Sequence, residues 1–316
     1  MDAPTLLIGG LLYPEGPVAL PDGTLLVVEI EGGYLTRICK GRRTIVAHLG
    51  GGPNGAAIGP DGCCYVCNNG GFKWAKHLDG YTRPLRQAED YSCGRIERVD
   101  LLSSCVEILY SHCSGRPLKG PNDLVFDKHG GFYFTDLGKG RERDLDRGAL
   151  YYALPDGSAI EEVAFPIMTP NGVGLSPDGS LVYVAETETA RLWAWPVLSP
   201  GKLAKESWPS PHGGSLVASV PGYQRFDSLA IEECGNICIA TLNNGGINII
   251  SPEGKQLDHV ALPDILTTNI CFGGKDRLTA YVTLSGSGRV VTLDWPRPGL
   301  ALHFLDRAPT IRENPQ

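Results

Sequence analysis

The chain has 316 residues, of which 42% are apolar and 20% are charged, and its formal net charge is −7. This composition is typical of a soluble globular protein, and an acidic chain without a basic cluster favours neither nucleic acid nor anionic membrane as a partner. No apolar run approaches the ~20 residues of a membrane span. Because no basic segment precedes a long apolar one at the start, we expect no signal peptide and a cytoplasmic protein.

The ten cysteines are expected to be reduced and mostly buried, since a long chain without an export signal is not typical of a disulfide scaffold. Cys64 and Cys67 have the spacing of half a zinc site or a redox motif. They lie in a predicted strand, where residues three apart point to opposite faces. This geometry argues against a shared metal or a disulfide.

A short unit recurs along the whole chain. Each copy begins with a polar residue, continues as an apolar strand, reaches a Gly turn eight residues later and then enters a second β-prone run. The clearest copy runs from Asn122 to Gly130, followed by Phe132–Asp136. The six copies begin at Glu15, Asn54, Asn122, Asn171, Asp227 and Asn269.

Most copies are spaced as in a four-stranded propeller blade of ~40–50 residues. The sequence therefore predicts an all-β fold, a six-bladed β-propeller with four-stranded antiparallel blades, forming a single domain over residues 1–316. Two gaps are longer. We expect a loop insertion at about 70–91 near the channel mouth, acting as a lid or rim, and an outer-edge loop at roughly 196–221. A C-terminal tail is expected at about 307–316, and no helix is predicted.

The ring needs a closing strand, because an open ring would expose a strand edge. The opening segment from Pro4 to Ile8 has no partner within its own unit. We expect it to pair with one of the last two strand candidates, Gly288–Leu293 or Leu300–Phe304.

The first residue of each copy would reach the same height in the central channel. The resulting ring of carboxylates and amides offers only oxygen donors, which suit a hard divalent cation such as Ca²⁺, Mg²⁺ or Mn²⁺, with Zn²⁺ less typical. The alternative is local, because Asn, Asp and Gly also favour turns that enter strands. Spacing alone leaves both interpretations open.

Several motifs resemble the senescence marker protein/gluconolactonase family of regucalcin-like sugar lactonases, in its bacterial-type branch. They are Pro-Glu15-Gly-Pro, Gly-Pro-Asn122-Asp-Leu with Phe134-Thr-Asp, Pro-Asn171-Gly-Val, Phe226-Asp227-Ser-Leu and Thr268-Asn-Ile-Cys-Phe-Gly-Gly. The resemblance implies a propeller with one divalent metal in its channel, Ca²⁺ first among the candidates. It implies the ligands Glu15, Asn171 and Asp227, with Asn122 beside the metal.

Two positions depart from the family pattern. Animal members have an Arg where this chain has Gly120, and bacterial relatives commonly have Pro-Pro-Tyr-Gly where this chain has Leu137-Gly-Lys-Gly. Both positions help to shape the substrate rim. The resemblance therefore supports the metal site more firmly than the sugar substrate.

The expected function is metal-dependent opening of a lactone ring, with a small molecule as the partner. The metal would act as Lewis acid, Asp227 as general base, and Asn122 would orient the carbonyl or donate to the oxyanion. Further substrate contacts are expected from Asn54, Asn269, Phe72, Trp74 and His77. The alternatives are another cyclic or ester-like substrate, including non-hydrolytic ring chemistry, and a non-catalytic calcium-binding propeller. The sequence does not fix the oligomeric state.

Overall fold

The regular secondary structure of residues 3–310, described by a computed structural model, is β-strand apart from one 3₁₀ turn. The first ten are β1 (Thr5–Ile8), β2 (Pro14–Ala19), β3 (Leu25–Glu29), β4 (Tyr34–Cys39), β5 (Arg42–His48), β6 (Pro53–Ile58), β7 (Cys64–Asn68), β8 (Phe72–Lys76), β9 (Thr82–Gln87) and β10 (Arg95–Val99). The next ten are β11 (Val106–Tyr110), β12 (His112–Cys113), β13 (Arg116–Pro117), β14 (Pro121–Phe126), β15 (Phe132–Asp136), β16 (Gly148–Ala153), β17 (Ile160–Ile167), β18 (Pro170–Leu175), β19 (Leu181–Glu186) and β20 (Arg191–Ser199). The last are β21 (Lys202–Leu203), β22 (Ser215–Ser219), β23 (Arg225–Ile231), β24 (Ile237–Leu242), β25 (Gly246–Ile250), β26 (Gln256–Ala261), β27 (Thr267–Gly273), β28 (Thr279–Leu284) and β29 (Arg289–Asp294), before a 3₁₀ turn at Leu305–Arg307.

Six antiparallel sheets form the blades of a propeller. From the inner to the outer strand they are β2-β3-β4-β5, β6-β7-β10-β11, β14-β15-β16-β17, β18-β19-β20-β22, β23-β24-β25-β26 and β27-β28-β29-β1, which we number blades 1 to 6. The inner strands contact one another in that order, and β27 returns to contact β2. The predicted six-bladed fold with four-stranded blades is confirmed.

The ring is closed by β1, which pairs antiparallel with β29 so that Thr5 lies opposite Thr292. The first of the two predicted closing partners is therefore right. Leu300–Phe304 forms no strand, because β1 already occupies the outer edge of β29. That segment instead passes beneath the channel, where the Leu300 N–H donates to the Ile231 carbonyl at 2.8 Å.

The recurring Gly of each unit forms the turn between the first two strands of a blade. Gly130 has φ 93°, a left-handed conformation that costs Gly little, and the Asp127 carboxylate accepts the His129 N–H at 2.8 Å. In the sixth copy, where the template is looser, Arg277 takes this place with φ 55°. The shared turn chemistry explains why the unit is visible in the sequence.

The hydrophobic core consists of six clusters, one between each pair of neighbouring blades. Cys64 packs between blades 1 and 2, whereas Cys67 packs between blades 2 and 3. The prediction that these two thiols point to opposite faces is confirmed. All ten cysteines are free thiols. In residues 3–310 no helix is long and apolar enough to span a membrane.

Both insertions contain more strand than expected. Residues 70–91, expected as an irregular loop, contain the antiparallel hairpin β8–β9, because Phe72 and Lys73 pair across it with Gln87 and Arg86. The 196–221 segment was expected as an outer-edge loop, but it includes β22, the outer strand of blade 4, which pairs with β20. The backbone of the first insertion is therefore hydrogen-bonded within its own hairpin, and that of the second is hydrogen-bonded to blade 4.

Candidate metal and substrate site

The six first residues of the repeat lie at the same end of the channel. Each sits at the second or third position of its inner strand, where a bulge interrupts the pairing with the next strand. A bulge turns a side chain away from the regular pleat and is common beside functional sites. All six are buried, namely Glu15, Asn54, Asn122, Asn171, Asp227 and Asn269.

Glu15 and Asp227 place two carboxylates together in this buried ring, exposed by only 2% and 8%. Burial raises the pKa of Glu15 to about 7, although hydrogen bonds from Asn269 and the Gly16 N–H oppose the shift. Burial also raises the pKa of Asp227 well above its usual range, and the nearby charge of Glu15 adds to this. Two buried like charges are costly without a cation to balance them.

The amides of the ring have different surroundings. Asn269 Nδ2 donates to Glu15 Oε2 at 2.7 Å, and its Oδ1 accepts the Ile270 N–H at 2.8 Å, so Asn269 orients Glu15. Asn171 Nδ2 donates to Thr187 Oγ1 at 3.1 Å. Asn122 Oδ1 is buried and has no hydrogen-bond partner among the described residues. An unpartnered buried oxygen is unusual and calls for a ligand.

These donors fit a hard divalent cation. Two carboxylates would balance its charge, and the Asn122 and Asn171 oxygens would complete an all-oxygen set without Cys or His. Within residues 3–310, no three His, Cys, Asp or Glu side chains are grouped as a metal site. The predicted set differs from such a group because half of its members are amides.

Asp123 and Asn54 border this set. Asp123 Oδ1 accepts the Leu124 N–H at 2.9 Å, and burial with the charge of Glu15 raises its pKa to about 7. Through this bond Asp123 Oδ1 is engaged by the backbone of its own strand. Asn54 is the second residue of β6 and is 5% exposed.

The hairpin residues expected to contact substrate lie at different distances from the ring. The Trp74 ring packs against the Tyr13 ring, with centroids 5.0 Å apart, and against Phe72 at 6.1 Å. His77 is exposed near the hairpin tip, where the Arg83 Nε–H donates to its Nε2 at 3.1 Å. Trp74 is therefore linked to the channel through Tyr13, whereas the contact shown for His77 is within the hairpin.

Tyr13 is a site residue that the sequence reasoning missed. It is 5% exposed, has φ 58°, and its hydroxyl pKa is raised by burial and then by the charges of Asp227 and Glu15. A positive φ is strained for a bulky residue and often marks a functional site. Its position two residues before Glu15 was the available signal.

Lys139 was also missed. Its side chain is fully buried, and Nζ donates to Asn69 Oδ1 at 2.9 Å and to the Gly71 carbonyl at 3.0 Å. Burial lowers the pKa of Lys139 to about 7, against the opposing effect of Asp136. A fully buried Lys is rare, and this one belongs to the Leu137-Gly-Lys-Gly segment that departs from the family pattern.

The two departures from the family pattern touch each other. A Cβ atom on Gly120 would lie 2.5 Å from the Gly138 carbonyl oxygen, so that any side chain there would require the backbone to shift. The Asp136 carboxylate also accepts the N–H groups of Gly120 and Gly138, at 2.7 and 2.9 Å. The 137–140 loop therefore occupies the space that the Cβ atom of any larger residue at position 120 would need.

Fold and site together define a six-bladed β-propeller with a doubly acidic, amide-rich centre at one channel mouth. The sequence model of the family described as "SMP-30/Gluconolactonase/LRE-like region" matches residues 13–286. The chain belongs to this family, as its motifs indicated.

Individual relatives agree with this assignment. The chain is 27% identical to a lactonase drp35 of Staphylococcus saprophyticus, covering 80% of this chain and 70% of that protein. It is 26% identical to a gluconolactonase of Zymomonas mobilis, covering 74% and 61%. Its fold matches a calcium-binding protein, regucalcin, from Agrobacterium tumefaciens with TM-score 0.73, 19% identity and coverage of 95% and 98%.

Proposed function

We propose that this protein is a metal-dependent hydrolase that opens the ring of a lactone, either a sugar lactone or a related small cyclic ester. The observation that carries the proposal is the pair of buried carboxylates, Glu15 and Asp227, beside the unpartnered Asn122 oxygen. The names of the relatives, lactonase and gluconolactonase, support the substrate class.

Glu15, Asn171 and Asp227 would hold one divalent cation, with Asn122 beside it. Ca²⁺ is the first candidate because the donors are oxygens, and Mg²⁺, Mn²⁺ and Zn²⁺ are the alternatives. A cation there would polarise the lactone carbonyl and lower the pKa of a nearby water. Asn269 orients Glu15 through its 2.7 Å hydrogen bond.

Side chains of the protein would transfer the proton and stabilise the developing charge. Asp227 takes a proton from the water whose oxygen attacks the carbonyl carbon, and returns it to the ring oxygen when the C–O bond breaks. The Asn122 amide donates to the carbonyl oxygen as negative charge develops there. The product is an open-chain hydroxy acid.

The substrate would rest between the ring and the hairpin. Asn54 and the Tyr13 hydroxyl would contact its polar groups, while Trp74 and Phe72 would present aromatic surface to its apolar face. Asn269 and His77 remain weaker candidates, since Asn269 orients Glu15 and His77 is exposed near the hairpin tip. We expect neither nucleic acid nor membrane as a partner.

The test is a panel of sugar γ- and δ-lactones, aliphatic lactones and aromatic lactones. Metal-stripped protein is reloaded with each of the four cations in turn. We expect metal-restored turnover on one class, and a loss of about 100-fold or more in Asp227→Asn, the lower range for a general base. The Asp227→Asn protein should remain folded.

Failure of every lactone, with metal binding retained, would overturn the lactonase proposal. Two other functions would then be considered. The rim around Gly120 and Lys139 favours a different cyclic or ester-like substrate, including non-hydrolytic ring chemistry, because it departs from the family pattern. The likeness to a calcium-binding protein favours a non-catalytic calcium-binding propeller.

A further inference from the structure

The hairpin β8–β9 leaves blade 2 and is attached to loops of other blades at the mouth where the carboxylates lie. The Gln87 N–H donates to the Gly140 carbonyl of blade 3 at 2.8 Å. Lys76 pairs with Glu31 of blade 1 at 2.7 Å. The Thr82 N–H donates to the Gly286 carbonyl of blade 6 at 2.9 Å.

Two aromatic residues add to these attachments. The Tyr81 hydroxyl donates to the Pro263 carbonyl, in the connection between blades 5 and 6, at 3.3 Å. Trp74 packs on Tyr13 at the entry to blade 1. The hairpin thus crosses from blade 3 over blades 2 and 1 to blade 6.

The base of the hairpin is held by Lys139. The chain enters β8 through Gly70 and Gly71, with φ 78° and 110°, a backbone that other residues rarely adopt. Lys139 Nζ donates to the Gly71 carbonyl and to Asn69, and it lies 3.8 Å from the centre of the Phe72 ring. The positive charge of this ammonium group is stabilised by two oxygen acceptors and by the face of the Phe72 ring.

Within the described part of the chain, the hairpin is not attached to the loops of blades 4 and 5, on one side of the mouth. The loops between the second and third strands of blades 4 and 5 cover residues 187–190 and 243–245. The hydrogen bonds, ion pairs and ring contacts that hold the hairpin, within residues 3–310, fall on the loops of the other four blades and on the connection at Pro263.

We propose that the β8–β9 hairpin is a fixed roof over the metal-side mouth, that Lys139 is the buried residue holding it, and that substrate enters over blades 4 and 5. Lys139 acts here as a positioning residue. The entry route and the limit it places on substrate size rest on the proposed lactonase function. The fixed position of the hairpin does not.

The first experiment measures amide hydrogen exchange in full-length, metal-loaded protein. Lys139→Met should speed exchange in residues 72–87 by roughly tenfold, while the blade strands keep their protection. The matched control is Lys73→Met, which removes a Lys of the same hairpin whose ion pair with Glu89 is exposed. It should leave exchange unchanged.

The second experiment measures kinetics on a small lactone and on one with a bulky substituent. Glu188→Trp adds bulk to the blade 4 loop and should raise KM for the bulky lactone about threefold or more, with kcat retained. Leu78→Trp adds the same bulk at the fully exposed hairpin tip and should change neither constant. Lys139→Met should lower KM for the bulky lactone relative to the small one.

Unchanged exchange in Lys139→Met would overturn the role of Lys139. If that variant does not fold, the double variant Lys76→Met/Tyr81→Phe replaces it, because it removes two peripheral attachments of the hairpin. Amide exchange in residues 72–87 that stays slow in the double variant would contradict a roof held from several blades. Equal effects of Glu188→Trp and Leu78→Trp would overturn the entry route. If no lactone turns over at all, the hydrogen-exchange experiment still tests whether the hairpin is held in a fixed position.

Discussion

The two ends of the central channel are built from the same six inner strands, yet their chemistry is opposite. At one end, the mouth to whose loops the hairpin is attached, the strands present Glu15, Asp227 and four amides. At the other end a cavity of about 480 Å³ is lined mostly by apolar side chains such as Leu175, Ile231 and Phe272. The segment after Leu300 lines this second cavity.

The difference lies in where each strand is bulged. The bulge at the start of every inner strand turns a polar side chain into the channel. Beyond it, regular pairing resumes, and the strands carry small and apolar residues. Glu15, Asn122 and Asp227 do not line the apolar cavity, and so the proposed chemistry lies at the other end. Charge and an unpartnered buried oxygen distinguish that end.

The strongest test of this contrast is Glu15→Gln. Removing one carboxylate should weaken metal binding by about 100-fold or more, since even groups that merely orient ligands contribute 10–100-fold. The same change should stabilise the metal-free protein at pH 8, because the cost of the raised Glu15 pKa is fully present above about 7. Calorimetric titration and thermal unfolding with and without chelator measure both effects. A less stable metal-free variant with full metal affinity would contradict the model of a cation-balanced pair.

A smaller effect is expected from pH. Below a pKa of about 7, Glu15 of the metal-free protein is protonated, so protons compete with the cation. Affinity should fall by about tenfold between pH 8 and pH 6 through Glu15 alone, as the ionised fraction of a group with that pKa does. Competition with a metal indicator of known pH response would measure it. An affinity that is flat over this range would show that Glu15 is not a ligand.

The smallest effect on turnover should come from the opposite mouth. Ile231→Ala removes buried apolar contacts between blades 4 and 5, at a cost of about 2 kcal/mol, near the low end because the side chain already borders a cavity. Turnover per folded molecule should stay within about twofold of the parent. Urea unfolding and kcat/KM report the two quantities. A large loss of kcat/KM would mean that the apolar end also serves the reaction.

The sequence predicted the parts that depend on local repetition. The turn around Gly130 and the polar residue before it recur because each blade needs the same hairpin, so the six blades and their first residues could be found. The closing of the ring by the segment from Pro4 to Ile8 could be predicted because the last blade needs a strand to cover its edge.

Other parts depend on contacts distant in sequence. Lys139 lies between two Gly residues and looks like an exposed turn, and only the hairpin from residues 70–91 makes it buried. Tyr13 lies outside the repeated unit, and its left-handed backbone has no local sequence signal. The hairpin itself was missed because its strands pair over the mouth and not within a blade.

The pairing of β1 with β29 has a consequence for biosynthesis. β1 must wait for β29, since Thr5 meets Thr292 only after the intervening blades have been translated. Closing so long a loop adds little free-energy cost, because that cost grows only with the logarithm of its length, but non-local pairing is slow.

Until then the nascent chain exposes the unpaired edge of blade 6 and an unpaired first strand. Exposed edges of this kind recruit other chains. Ribosome stalling before residue 294 would therefore produce a chain that is prone to aggregate, even though five of its blades have all their strands.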